Sequence, residues 1–294
     1  MHYNGPIVRP QTDADSIFVE VTVGCTHNSC TFCNFYHGYP FAVAPLEQIE
    51  EDLIEASKRY PNAKKIWANG GNPYALSPEK LVQVGKLFKK YFPESRISTY
   101  ARVDDLLRKS VEDMRLLKQY GFEDLVIGFE TGDDEALKYV NKGYNSEDIL
   151  TGCKRLEEAG VDYRMIFLGG LAGKGKCVQS ATKTAELLNQ LHPYIMYLNS
   201  VSVLPGTKLY EDVQKGIFQQ AGERELVMEF ITLLQNMKNE IAIFAAPNTT
   251  PFSFFVNLQS VKEELLAQMK EFADSISKKE EIQMGRKRNQ KVSV

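Results

Sequence analysis

The sequence predicts an α/β fold in which parallel strands pack against helices. Six short runs rich in apolar and β-branched residues alternate with amphipathic helical patterns. A strand followed by a helix, repeated in this way, is typical of a parallel sheet with its helices outside. A doubly wound sheet and a full or partial barrel both fit this alternation. In both, functional groups collect at the carboxyl ends of the strands.

The strands and helices can be placed in order along the chain. The apolar runs contain no proline and predict strands at residues 17–23, 64–68, 96–100, 124–129, 162–168 and 196–203. Proline and N-cap residues predict helices that begin near Pro45, Ser77, Ser110 and Ser146, and a last helix spans residues 178–191. Six strands, with a predicted helix after each of the first five, therefore make up the main part of the chain.

The pattern changes at about residue 210. We expect a helix at 224–238, a strand at 240–246, a loop with clustered aromatic side chains at 248–255 and an amphipathic helix at 261–277. The predicted organisation is a lead-in (1–15), a core (16–210), a mostly helical extension (211–280) and a polar basic tail (281–294). The tail contains Arg286, Lys287, Arg288 and Lys291, and we predict a solvated, frayed end for it.

Composition and charge exclude several classes of protein. The formal net charge is −3, which predicts neither a nucleic-acid partner nor an anionic membrane partner. No apolar run approaches the ~18 residues of a bilayer span. The cysteine count is five, an odd number, and no basic segment followed by an apolar one follows Met1. We therefore expect reduced thiols and a cytoplasmic location.

Three cysteines lie close together directly after the first predicted strand. Cys25, Cys30 and Cys33 form a C-x4-C-x2-C pattern. Three thiolates on one short loop indicate a metal or cluster site, and a count of three leaves one coordination position open for chemistry. The residues alone leave three interpretations: a 4Fe–4S cluster, a zinc site completed by His27 or His37, and a redox dithiol made of Cys30 and Cys33.

The second predicted strand is followed by a glycine-rich segment, which consists of Gly70, Gly71, Asn72 and Pro73. A plain turn uses the same residue types. At the carboxyl end of a strand next to the cysteine loop, however, paired glycines let a ligand approach bare backbone where any Cβ would intrude. We interpret the segment as part of a binding site.

Together these features resemble the radical S-adenosylmethionine (radical SAM) superfamily. The resemblance covers about residues 16–210 and rests on the cysteine loop with Phe32 before Cys33, on the glycine segment, and on motifs at 127–132, 141–143, 168–170 and 204–207. The set is similar to the branch that includes the oxygen-independent coproporphyrinogen oxidases. One departure is the cysteine spacing, because the usual pattern has three residues between the first two cysteines and this chain has four.

The resemblance implies a partial parallel (β/α)6 barrel and two cofactors, a 4Fe–4S cluster and SAM. It implies that Cys25, Cys30 and Cys33 ligate the cluster and act in catalysis. It also implies reductive cleavage of SAM to a 5′-deoxyadenosyl radical, which takes hydrogen from an unknown substrate. Reduced flavodoxin or ferredoxin is the expected electron donor. The alternative is an iron–sulfur or zinc-binding protein on the same fold, in a structural or electron-transfer role without SAM turnover.

The resemblance also suggests SAM-binding roles for residues at the strand ends. The glycine segment would face the methionyl amino group, and Arg102 would pair with the carboxylate unless it forms an ion pair with Asp104 or Asp105. Glu130 would accept hydrogen bonds from the ribose, unless it belongs to a helix-cap network with Thr131 and Asp133. The adenine would lie against Phe35 and Gly169.

The remaining two cysteines receive separate interpretations. Cys153 shares a helical stripe with Ile149 and Leu156, so we predict a core position for it. Cys177 follows a lysine- and glycine-rich segment, and we predict that it is exposed.

Overall fold

The structure, a computed structural model, describes residues 1–290. The strands are β1 Ile17–Glu20, β2 Thr22–Val23, β3 Ala42–Val43, β4 Lys65–Asn69, β5 Arg96–Ala101, β6 Phe122–Glu130, β7 Asp162–Gly169, β8 Ile195–Ser200, β9 Ala242–Ala245 and β10 Phe254–Asn257. The helices are α1 Leu46–Arg59, α2 Pro78–Tyr91, α3 Val103–Leu107, α4 Val111–Gln119, α5 Asp134–Tyr139, α6 Ser146–Ala159, α7 Cys177–Leu188, α8 Lys208–Gln214, α9 Glu223–Asn236, α10 Leu258–Ser275 and α11 Lys278–Asn289.

Eight of these strands form a mostly parallel sheet whose order follows the chain, from β1 and β4 through to β10. The pairs from β1 to β6 and from β7 to β9 for which a register is described are parallel, and β10 runs antiparallel to β9. Each of the six predicted strands is present, and helices follow them as expected. The predicted α/β fold class, with its largely helical C-terminal region, is confirmed.

The chain divides into two compact units. The first comprises residues 1–28, 36–127 and 151–163, and it contains β1, β4, β5 and most of β6. The second comprises residues 29–35, 128–150 and the chain from 164 onward, and it contains β8, β9, β10 and most of β7. Residues of the cysteine loop therefore belong to both units.

In the first unit a buried polar network lies near the amino ends of the strands. Lys65 forms ion pairs with Asp13 and Asp124, both at 3.0 Å, and Ser98 donates to Asp124 at 2.7 Å. The indole nitrogen of Trp67 donates to Asp13 at 3.1 Å. Because every buried charge here has a partner, we assign this end of the strands to stability, which leaves the carboxyl ends for function.

In the second unit the extension contains a strand where the sequence predicts a loop. Residues 248–255 contain clustered aromatic side chains and read as a loop, yet Phe254 and Phe255 begin β10, which pairs with β9. The ring of Phe255 packs edge-on against Phe244 at 5.7 Å between centroids. A four-residue strand that runs directly into a helix is too short to leave a clear period in the sequence.

The described part of the basic tail, residues 281–290, is helical as far as Asn289 rather than a frayed end. Ser277 and Glu280 form a capping box at the start of α11, and Arg288 near its end is buried. The Arg288 guanidinium pairs with Glu223 at 2.8 Å and also donates to the carbonyl of Val201. Partners more than 60 residues away in sequence hold this helix, so local composition could not predict it. Lys291 lies outside the described residues.

None of the described helices combines the length and the apolar composition that crossing a bilayer requires.

The Glu223–Arg288 pair generates a stability prediction. Arg288→Ala leaves the Glu223 carboxylate buried without its partner, and we expect the free energy of unfolding to fall by about 3–5 kcal/mol. The double variant Glu223→Gln/Arg288→Met removes both charges and should recover much of that loss. Urea denaturation measures both, and Arg286→Ala, on the exposed face of the same helix, is the control. Equal stability of all these variants would contradict the assignment.

Candidate cofactor site

The residues predicted to bind the cofactors lie at the carboxyl ends of strands. Gly70 follows β4, Arg102 follows β5, Glu130 ends β6 and Gly169 ends β7. Cys25 follows β2 after a single glycine. Gly70, Arg102, Glu130 and Gly169 therefore lie at carboxyl ends of strands of the eight-stranded sheet, where the fold class predicts function, whereas Cys25 follows a strand of the two-stranded sheet of β2 and β3. Their contacts are described below unit by unit.

Gly70 and Gly71 lie against the backbone of residues 22–25 in the first unit. A Cβ at Gly71 would overlap the carbonyl oxygen of Gly24 and lie 2.9 Å from the Cα of Cys25. A Cβ at Gly70 would overlap Thr22, and Gly70 also has a φ of +143°, which disfavours any side chain. The paired glycines thus bring the start of the cysteine loop against the end of β4.

Asn72 connects this contact to the next strand. Its side-chain oxygen accepts from the Thr26 amide at 3.0 Å, and its side-chain nitrogen donates to the Thr26 hydroxyl at 2.7 Å. The same nitrogen donates to Asp105 at 2.9 Å. Pro73 follows at the start of a 3₁₀ turn. The hydrogen bonds of the buried Asn72 amide therefore fix the turn after β4. Binding of the SAM amino group by residues 70–73 stays a prediction.

Asp105 was not identified from the sequence as more than a candidate partner of Arg102. It is fully buried, accepts from the Arg102 backbone amide at 2.9 Å, and burial raises its pKa above the ordinary value. Arg102 is 7% exposed and its Nε donates to Asp104 at 2.8 Å. The ion pair that we considered as the alternative role of Arg102 is present, and the SAM carboxylate stays a predicted second partner.

In the second unit Glu130 is paired with a lysine that sequence reasoning missed. Lys142 donates to Glu130 at 2.6 Å, and both side chains are less than 10% exposed. Glu130 has a φ of +68°, a conformation that costs energy for a side chain of this size. In the sequence, Lys142 stood out only as part of the motif at 141–143. Buried charge and backbone strain at a strand end are typical of a functional residue.

The helix-cap network considered as the alternative for Glu130 is present without Glu130. The Thr131 hydroxyl lies 2.9 Å from that of Thr184 and receives a hydrogen bond from the Asp133 amide at 3.2 Å. Lys183 in turn donates to Asp133 at 2.7 Å. This network satisfies the polar groups after β6, so the Glu130 carboxylate is held separately by Lys142.

The second half of the cysteine loop is docked on the second unit. The Thr31 amide donates to the carbonyl of Val140 at 3.0 Å, and its carbonyl accepts from Leu209 at 2.8 Å. Cys30 and Cys33 are partly buried against an apolar cluster that includes Phe32 and Leu168. The Lys142 ammonium lies 5.8 Å from the centroid of the Phe32 ring. Phe35, predicted to border the adenine, is half-buried at the end of this segment.

The donor set of the loop suits a metal or cluster. All three cysteines are free thiols and partly exposed, whereas Cys153 and Cys177 are buried. Within residues 1–290, no three His, Cys, Asp or Glu side chains are close enough together to hold a metal ion. The structure therefore does not bring Cys25, Cys30 and Cys33 together as a set of ligands. The thiols fit a cluster by their chemistry and accessibility alone, and their role as ligands stays a prediction.

Gly169 and Gly170 lie under a buried carboxyl group from the extension. Glu229 of α9 accepts from the Gly170 amide at 2.7 Å, and a Cβ at Gly169 would lie 3.2 Å from the same carboxyl. Burial raises the pKa of Glu229 to about 8, so the group is largely protonated at neutral pH. The sequence showed Glu229 only as a polar position within an apolar helix.

Cys177 lies beside this carboxyl. The prediction that Cys177 is exposed is wrong, because the residue opens α7 and packs against Ala221 and Leu226. Burial, then Glu229 and Glu225, raise the pKa of its thiol well above the ordinary value. The predicted core position of Cys153 is confirmed, since that side chain is fully buried.

Comparison with known proteins agrees with the motifs. Residues 19–188 match the model of the radical SAM superfamily, and the chain belongs to that superfamily. The chain is 29% identical over 239 residues to the heme chaperone HemW of Bacillus subtilis, an alignment that covers 75% of this chain and 61% of HemW. In structure it is similar to coproporphyrinogen III oxidase (HemN) of Escherichia coli, a radical SAM enzyme, with a TM-score of 0.53 and 18% identity over 75% of this chain and 50% of HemN.

The glycine contact generates a prediction. In Gly71→Ala the new methyl group must displace the backbone at Gly24 and Cys25, and we expect a loss of about 3 kcal/mol, the upper end of overpacking costs. Gly38→Ala is the matched control, because Gly38 has a φ of +82° but open space around it, so only about 1–2 kcal/mol of backbone strain should appear. Urea denaturation compares them, and a Gly71→Ala variant as stable as Gly38→Ala would contradict the tight contact.

The raised pKa of Glu229 predicts a pH dependence of stability. The folded protein binds one more proton than the unfolded chain between about pH 4.5 and 8, so the free energy of unfolding should fall as pH rises through this window. Glu229→Gln stays neutral and should remove that fall. Urea denaturation at several pH values measures it, with the exposed Glu263→Gln as control. An unchanged pH slope in Glu229→Gln would show that another group is responsible.

Proposed function

We propose that this protein is a radical SAM enzyme that binds a 4Fe–4S cluster, cleaves SAM reductively to a 5′-deoxyadenosyl radical and abstracts hydrogen from a substrate that remains to be identified. The observation that carries the proposal is the superfamily match at residues 19–188, which contains the cysteine loop and the glycine segment. The cluster and SAM supply the redox chemistry, and the protein supplies binding, orientation and exclusion of water.

Cys25, Cys30 and Cys33 would hold the cluster, because they are the partly exposed thiols of the described chain. A thiolate is the ligating form, and solvent access lets the cluster be assembled on the folded loop. The close packing of Gly71 on residues 24 and 25 supports a defined position for the first of these ligands.

SAM would lie along the strand ends. Gly70, Gly71, Asn72 and Pro73 would line the methionyl amino group, and Arg102 would pair with the carboxylate while Asp104 orients its guanidinium through Nε. Glu130, held by Lys142, would accept from the ribose hydroxyls. Phe35 and Gly169 would border the adenine. Reduced flavodoxin or ferredoxin in the cytoplasm is the proposed electron donor.

A second candidate function is that of a cofactor-binding protein without SAM turnover. The relative HemW is named a heme chaperone, and this chain spans 61% of its length, so activity does not transfer with the similarity. On this alternative, the fold would hold a cluster or a second prosthetic group in a carrier role. The strained, buried Glu130 beside Lys142 favours the enzyme, because a carrier would need no such arrangement at this strand end.

Anaerobic reconstitution distinguishes these functions. The full chain is loaded with iron and sulfide, reduced with dithionite and mixed with SAM, and 5′-deoxyadenosine is measured by chromatography. We expect its formation by the native protein and a loss of at least about 100-fold in Cys30→Ala, because a cluster with two protein ligands is not retained. Cys153→Ala, which removes a buried cysteine outside the loop, is the control and should keep both iron and product.

The outcomes separate the two candidates. A cluster that forms while SAM neither binds by calorimetry nor reacts would contradict the enzyme and favour the carrier. If Cys30→Ala and the native protein formed equal amounts of 5′-deoxyadenosine, the proposed role of the cysteine loop in SAM cleavage would be wrong.

A further inference from the structure

A cavity of ≈ 430 Å³ lies at the carboxyl ends of β8 and β9 in the second unit. We call it the α11 cavity, because Met284, Lys287 and Arg288 of that helix form one wall. The loop that follows β9 and Ser200 at the end of β8 form others. Its volume falls in the range of small-molecule sites in proteins. None of the residues proposed to bind the cluster or SAM lines it.

The α11 cavity carries one uncompensated positive charge. Its lining contains three charged residues, Glu223, Lys287 and Arg288. Glu223 and Arg288 neutralise each other at 2.8 Å, and Arg288 also donates to Val201 at 2.8 Å and Ala221 at 3.2 Å. Lys287 is exposed and forms no ion pair or side-chain hydrogen bond with any residue between 1 and 290. Its ammonium is therefore the cation available to a ligand.

Most of the remaining lining is apolar, and hydrogen bonds hold the loop that carries part of it. Phe272 packs edge-on against Phe252 at 5.3 Å, and Pro247, Pro251 and the half-buried Met284 complete this side. The hydroxyls of Thr249 and Thr250 donate to the carbonyl of Ala246, so the loop satisfies its own polar groups. The Ser200 amide and hydroxyl both donate to the carbonyl of Thr249. These bonds hold the loop on β8. The groups that can contact a ligand are then aromatic and aliphatic side chains and the exposed amide of Asn248.

We propose that the α11 cavity binds an organic anion, in which a carboxylate or sulfonate pairs with Lys287 and an apolar body lies against Phe272 and Met284. The buried Arg288–Glu223 pair acts as a positioning element, because it fixes the last turn of α11 and with it the preceding lysine. This site goes beyond the proposed function and requires neither the cluster nor SAM. A cation is disfavoured because the Lys287 ammonium repels it.

Fluorescence titration of the full chain tests the proposal, with the aromatic sulfonate anilinonaphthalene sulfonate as probe. We expect saturable binding that octanoate and benzoate displace and octylamine does not. Lys287→Ala should weaken binding about tenfold, as expected for loss of one charge-assisted contact, and Lys287→Arg should restore it. Met284→Gln keeps the side-chain length, adds a polar amide and should also weaken binding.

Arg286→Ala is the matched control, because it removes a neighbouring cation of the same helix that does not line the cavity. Unchanged binding in Arg286→Ala with loss in Lys287→Ala supports the site. Equal loss in both variants would indicate adsorption to a basic surface, and no loss in either would place the probe elsewhere; both results overturn the proposal. The titration uses protein without cluster or SAM, so its failure would not contradict the proposed function. Failure of the 5′-deoxyadenosine assay would likewise not contradict the anion site.

Discussion

The close approach of residues 22–25 to the end of β4 is the constraint on which the first half of the candidate site depends. No side chain fits at Gly70 or Gly71, so the two backbones lie in direct contact. That contact determines where Cys25 begins its loop, and it brings Thr26 within reach of Asn72. The Asn72 side chain also donates to Asp105. The Asp105 carboxyl in turn accepts from the Arg102 amide, so it fixes the turn after β5. One backbone contact thus fixes three strand ends through hydrogen bonds.

The fold could be predicted from the sequence because its signals are local. Each strand is a short run of apolar residues, and Ser77 and Ser110 cap helices where the sequence indicates. The carboxyl-end location of Gly70, Arg102 and Glu130 followed from strand order alone. By contrast, β10 is defined by its pairing with β9, and α11 is held by partners more than 60 residues earlier in the chain. A four-residue strand and a polar helix leave little periodicity of their own, so sequence patterns indicated a loop and a tail.

The partners of the predicted site residues could not be predicted from the sequence, because they lie in other segments of the chain. Lys142 lies 12 residues beyond Glu130, and Glu229 lies 59 residues beyond Gly170. Each looks ordinary in its own segment, since lysine after a helix and glutamate within one are common. Only folding shows that both are buried. Cys177 illustrates the converse error, because flanking lysines suggested exposure while its own side chain faces Ala221.

Glu229 indicates that the extension contributes to the site as well as covering apolar surface. A buried carboxyl that stays largely protonated is costly to maintain, and a hydrophobic residue on α9 would pack at lower cost. What the carboxyl does provide is an acceptor for the Gly170 amide, directly after the last residue of β7. The turn after β7 is therefore held by a residue outside the predicted core. The predicted core at 16–210 and the predicted extension would then be interdependent at this strand end, and we expect the turn to lose its fixed position without α9.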